Sequence, residues 1–242
     1  MESGTQNKTN KIQNVSPSGA GASKYWWKIL AVILLLYTII KGFLGPVPAQ
    51  PILHESIRNL YFHVPMWFSM MVILFVSVWH SIKYLSKSTI ESDIVATQAA
   101  HTGMLLGALG LITGSIWAKY TWGAWWVADT KLNGAAITML IYLAYFVLRG
   151  SIDEEQKRAR IAAVYNIFAY VMLIVFLMIL PRMSDSLHPG NGGNPGFNKY
   201  DLDSNMRTVF YPAVLGWILL ATWIFTLRVR LEKLKRKTLL ND

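Results

Sequence analysis

The chain has 242 residues, 53% of them hydrophobic, no cysteine and a formal net charge of +10, with a mean hydropathy of +0.35. Lacking cysteine, it can hold no disulfide staple, thiolate metal site or thiol redox centre, which leaves its five histidines as the natural metal ligands. The apolar residues gather into runs long enough to cross about 30 Å of hydrocarbon, which excludes an ordinary soluble domain, and the bases lie between and beyond those runs, which makes nucleic acid an unexpected partner.

Residues 1–24 are rich in Ser, Gly, Asn, Gln and Lys and almost free of large apolar side chains, so a disordered tail is expected. The first apolar run, 26–45, follows basic residues as a signal peptide would, but its length fits a retained span. Further spans are expected at 64–82, 94–117, 132–148, 161–180 and 209–227. The prediction is therefore an all-α integral membrane protein, with six transmembrane helices over 25–230 and a basic tail at 231–242. Thr97, Gln98, His101 and several glycines mark the third span as one that faces other helices, because small residues permit close packing and polar ones need partners.

With the N-terminus inside, 16 of the 23 Lys and Arg residues fall on the cytoplasmic side, and seven fall outside: Lys41, Arg58, Lys119, Lys131, Arg182, Lys199 and Arg207. That asymmetry predicts that both termini are cytoplasmic. His63, the segment 117–131 and His188 then share the external face.

Segment 117–131 carries Trp117, Tyr120, Trp122, Trp125 and Trp126 and then Asp129, between two spans. An interfacial aromatic belt would explain an isolated pair of Trp. Four in ten residues, with Gly123 to allow close backbone approach, form a platform suited to a flat apolar ligand. His188 lies in a loop of Gly, Pro and Asn residues that programs turns, and such loops often carry function. Each histidine alone could equally be a solvated polar residue. His54 is a further external candidate in a Pro-rich loop, whereas His80 and His101, in the cytoplasmic halves of their spans, are expected to be structural.

The Trp-rich segment resembles the WWD signature of the CcmC/CcsA haem-handling family, and the stretch Arg58-Asn-Leu-Tyr61-Phe-His63-Val-Pro65 resembles that family's Arg-x-x-Tyr-x-His-Val-Pro motif. Six spans in this length match CcmC rather than the longer CcsA. The resemblance implies that His63 and His188 are axial ligands to the iron of haem b. It also implies that Trp117, Trp122, Trp125 and Trp126 cover the porphyrin, a role that imidazole chemistry and stacking area support. Arg58 and Lys131 border the two motifs, where a cation could bond the haem propionates. Asp129 is expected to orient an indole N–H or a base rather than to touch the anionic haem edge. Two positions depart from the family: Ala128 stands where Trp is usual and Lys131 where Arg is usual, removing one stacking surface and one bidentate fork.

What the resemblance implies is a haem-binding and transfer protein of the bacterial inner membrane, not an enzyme. Its partners would be a periplasmic haem chaperone and the ATP-binding-cassette subunits of a cytochrome c maturation complex. The chain has no Gly-x-x-x-x-Gly-Lys-Ser/Thr loop, so nucleotide hydrolysis would fall to a partner. The competing readings are a cytochrome c synthase and a b-type electron-transfer protein. The first is disfavoured by the short chain, and the second by the lack of histidines paired on facing helices.

Overall fold

Inside hydrocarbon no water is available for backbone N–H and C=O groups, so an apolar run can cross only as a helix that satisfies itself. The computed structural model describes residues 25–48, 53–184, 186–188 and 202–239, and contains no strand among them. The tail 1–24 and the glycine-rich stretch beyond His188 lie outside the described residues. Helix α1 spans Trp26–Leu44. A 3₁₀ turn, His54–Asn59, leads into α2, Leu60–Lys87. Next come α3, Ile90–Trp122, and α4, Thr130–Gly150. The fifth helix, α5, runs over Glu155–Met183 and includes a π-helical turn at Val175–Ile179; α6 covers Ser204–Leu239. All six are long and apolar enough to cross a membrane.

The helices overrun the expected spans at most ends. Hydropathy marks only the apolar centre of each helix, whereas Lys, Arg, Glu and Gln are good helix formers and extend it. One overrun corrects the reading of the Trp-rich segment as a connection between spans. Trp117 and Trp122 lie on the last turns of α3, and only residues 123–129 are non-helical. Gly123 ends α3 at φ +78, the left-handed cap that glycine adopts without a Cβ penalty. Likewise, α6 continues as helix through the basic segment to Leu239.

Helix α2 sits centrally, packed along α3 and also against α5 and α6, while α1 lies outside along α6. The α2–α3 contact is a register of large into small. Gly103, Gly107, Gly110 and Gly114 share one face of α3 and receive Leu74, Met70, Trp67 and His63 of α2 in antiparallel order. A Cβ added at Gly110 would stand 2.7 Å from the Trp67 ring, and one at Gly114 2.8 Å from His63 Cε1. The expectation that the third helix faces its neighbours holds, by the small-residue packing anticipated for membrane helices.

Buried polar clasps complete the bundle. Asn166 Nδ2 on α5 donates to Ser77 Oγ (2.7 Å) and Ser81 Oγ (2.8 Å) on α2, and Ser77 Oγ donates to the Ala96 carbonyl on α3 at 2.6 Å. Arg149 of α4 grips Asp93 of α3 through two bonds of 2.8 and 2.5 Å, in the bidentate geometry that a desolvated carboxylate requires. Pro212 cannot donate to the Thr208 carbonyl within α6, and Tyr37 Oη of α1 donates to that carbonyl instead, at 3.3 Å.

Candidate functional site

At the end of the bundle where α2 begins and α3 finishes, a cavity opens between α2, α3, α4 and the π turn of α5. It holds about 1180 Å³ of empty space including its mouth. Trp67, Met71, Leu111, Leu132, Ala135 and Leu177 make an apolar interior, while Asn59, Ser115, Lys131, Arg182 and His188 add polar groups to the lining. An apolar pocket with a few convergent polar groups is the usual form of a small-molecule site.

The π turn helps to shape the wall. Leu177 and Met178 lie within it, and Pro181, one turn on, cannot donate to the Leu177 carbonyl. Gly134 of α4 packs directly against the Phe176 carbonyl, where any Cβ would collide.

Both expected ligands line this cavity. The His63 ring lies over the Gly110–Gly114 stretch of α3, with Nδ1 3.0 Å from Thr113 Oγ1. His188 is held from three sides. Trp122 meets its ring edge-on at 5.1 Å between centroids, Trp117 lies tilted at 5.9 Å, and Nδ1 bonds Asp129 Oδ1 at 3.1 Å.

Asp129 is the organising residue of this end. Its carboxylate caps α4 by accepting from the backbone N–H groups of Lys131 (2.9 Å) and Leu132 (3.4 Å). It also accepts from Ser186 Oγ (2.8 Å) and the Leu187 N–H (2.7 Å), tying down the segment that carries His188. Burial works against ionisation, but the bonds from His188, Ser186 and the Leu187 amide outweigh it and hold the carboxyl well below the usual carboxylate range. An ionised carboxylate only accepts, so Nδ1 carries a proton, which in a neutral imidazole leaves the lone pair on Nε2. This is the outer-shell arrangement that orients metal-bound histidine and raises its basicity.

The Trp residues divide their work. Trp117 and Trp126 line the cavity. Trp117 Nε1 donates to the Ser56 carbonyl at 3.1 Å, and Trp126 Nε1 to Asn133 Oδ1 at 3.2 Å. Trp122 packs on His188 instead, and Trp125 is 58% exposed, with its carbonyl held by Ser115 Oγ at 2.7 Å. Lys131 lines the cavity, whereas Arg58 does not. Its guanidinium bonds Glu55 (2.6 Å) and the Gly42 and Gly45 carbonyls (2.8 and 2.7 Å), fastening the end of α1. His54 is exposed outside the cavity, and His101 stacks on Phe146 at 4.3 Å, distant in sequence and packing from the cavity helix ends.

Sequence reasoning passed over Thr113, Gly114 and Arg182. Arg182 was visible among the external bases, but nothing in its spacing ties it to the cavity. Thr113 and Gly114 sit inside an apolar helix, where they read as ordinary packing residues.

The chain is similar to known proteins over most of its length. The family described as heme exporter protein C matches residues 12–241. The chain is 25% identical over 214 residues to a protein named heme exporter protein C from Escherichia coli (strain K12), covering 85% of this chain and 81% of that protein. Proteins of the same name from Haemophilus influenzae and Rhodobacter capsulatus are 28% identical over 218 residues and 27% identical over 217, with 82% and 85% of their lengths covered.

Proposed function

The chain belongs to the heme exporter protein C family, and from that membership and the geometry of the cavity we propose that it binds haem at the extracytoplasmic end of the bundle and passes it to a periplasmic haem chaperone for cytochrome c maturation. The relatives' printed name supports a role in handling haem. The observation that carries the site is the pairing of His63 and His188 in one apolar cavity, with the Nδ1 of each engaged by a fixed oxygen.

The residues suit the cargo. Two neutral imidazoles can complete the coordination of iron, and the Trp117 and Trp126 faces and the apolar walls take up the porphyrin. Lys131 and Arg182 in the lining match the charge of two propionates. Arg58, already committed to Glu55 and the end of α1, positions the motif that contains His63. Haem b bound through histidine needs no covalent bond to this chain, and such reversible binding is what a donor to a chaperone requires. ATP hydrolysis belongs to cassette subunits in the same complex.

The detergent-purified protein is expected to show the absorption spectrum of six-coordinate, bis-histidine haem, and a pyridine haemochrome assay is expected to identify haem b. A preparation that takes up no haem, or binds it without histidine, would sink this reading.

The orientation rests on the 16 to 7 division of bases. Reporter fusions after Lys87 and Arg158 are expected to report cytoplasm, and fusions near Lys119 and Asn194 the external side. Reversed signals at these four sites would put the cavity on the wrong face for delivery to a periplasmic partner.

A further inference from the structure

Among the described residues His63 has no carboxylate partner of the kind His188 has, and a different device faces its ring. Thr113 Oγ1 lies 3.0 Å from His63 Nδ1. The same hydroxyl donates back to its own helix, to the Leu109 carbonyl at 2.8 Å, with the Gly110 carbonyl at 3.2 Å on the same side. A hydroxyl has one proton and two lone pairs. Once its proton is given to the helix carbonyls, only acceptor capacity is left for His63. In that arrangement Nδ1–H donates to the hydroxyl, the tautomer in which Nε2 carries the lone pair.

We propose that Thr113 is a positioning residue: it fixes His63 in the Nδ1–H tautomer and so presents Nε2 to haem iron. This inference rests on the haem-binding reading above. Gly114, next in sequence, makes room for the ring beside the hydroxyl, since a Cβ there would stand 2.8 Å from His63 Cε1. One residue thus supplies the acceptor and its neighbour the space. The partner of His63 is neutral and that of His188 is ionised, so His63 is the weaker donor of the two.

Thr113→Val keeps the shape of the side chain and removes the acceptor. It is expected to lower haem affinity about tenfold or more, within the range found for loss of outer-shell partners. The haem spectrum should shift from six-coordinate towards five-coordinate, with His188 retained, and added imidazole should restore the six-coordinate form. Thr113→Ser, which keeps the hydroxyl, should match wild type, and Thr113→Ala should behave as the Val variant does. Wild-type affinity and spectrum in Thr113→Val would overturn the proposal. So would equal loss in Thr113→Ser, which would assign the effect to the γ-methyl group. If wild-type protein itself shows no histidine-ligated haem, the binding reading falls and takes this one with it.

Discussion

The double change His63→Ala, His188→Ala is expected to strip most of the haem from the purified protein while leaving membrane insertion intact. Both side chains line one cavity, and neither belongs to the buried clasps that join the helices. Each single change should turn the six-coordinate spectrum into a five-coordinate one, and added imidazole should refill the vacated position. Affinity should fall at least as far in each single variant as it does on loss of an outer-shell partner, about 10–100-fold. Delivery to the chaperone is the more sensitive readout, because two ligands and a covered ring share the binding energy and one loss can leave haem held in the wrong state. His54→Ala and Trp125→Ala, both changes at exposed side chains outside the cavity, are the controls and should leave spectrum and haem content unchanged. Wild-type spectra in both single variants would move the ligands elsewhere.

The second large effect is expected from Asp129→Asn. Asparagine caps a helix nearly as well as aspartate, so the start of α4 should survive. The ionised acceptor for His188 Nδ1, Ser186 and Leu187 does not survive, and the His188 segment loses the group that collects its bonds. Haem affinity measured by absorbance titration should fall about 10–100-fold, with a weakened His188 ligand rather than a missing one. Asp129→Ala should do the same and also destabilise the α4 start by about 1 kcal/mol through the lost cap. An affinity within twofold of wild type in Asp129→Asn would reduce this carboxylate to a helix cap.

Six spans could be read from hydropathy because each apolar run is long enough to cross, even the third, which Thr97, Gln98 and His101 interrupt. Their ends could not, since polar helix formers continue the helix past the hydrocarbon signal, and for this reason the turns bearing Trp117 and Trp122 look like loop in the sequence. His63 was identified by its motif and His188 by its place beyond the Trp-rich segment, and both line one cavity. The different tasks of the Trp residues were not legible. Four identical side chains in ten residues carry no sign of which packs on His188, which lines the cavity and which faces outward; that depends on where Gly123 ends α3. Arg58 had the right neighbourhood in sequence, but its guanidinium meets the end of α1, a contact across sixteen and thirteen residues that no local pattern encodes. Asp129 was expected to orient an indole N–H or a base, and its carboxylate bonds the His188 ring.

The glycine face of α3 turns the depth of His63 into a matter of counting. From Leu74 to His63 is eleven residues along α2, and from Gly103 to Gly114 eleven along α3, so both helices climb about 16 Å between the first and last contacts. The two rulers agree, and the His63 ring comes out opposite Gly114, one residue from the hydroxyl that meets it. A single residue inserted in either helix between those marks would turn everything beyond it by about 100° and carry the imidazole away from the cavity. The height of the His63 imidazole is thus measured from three interlocked contacts farther down the bundle.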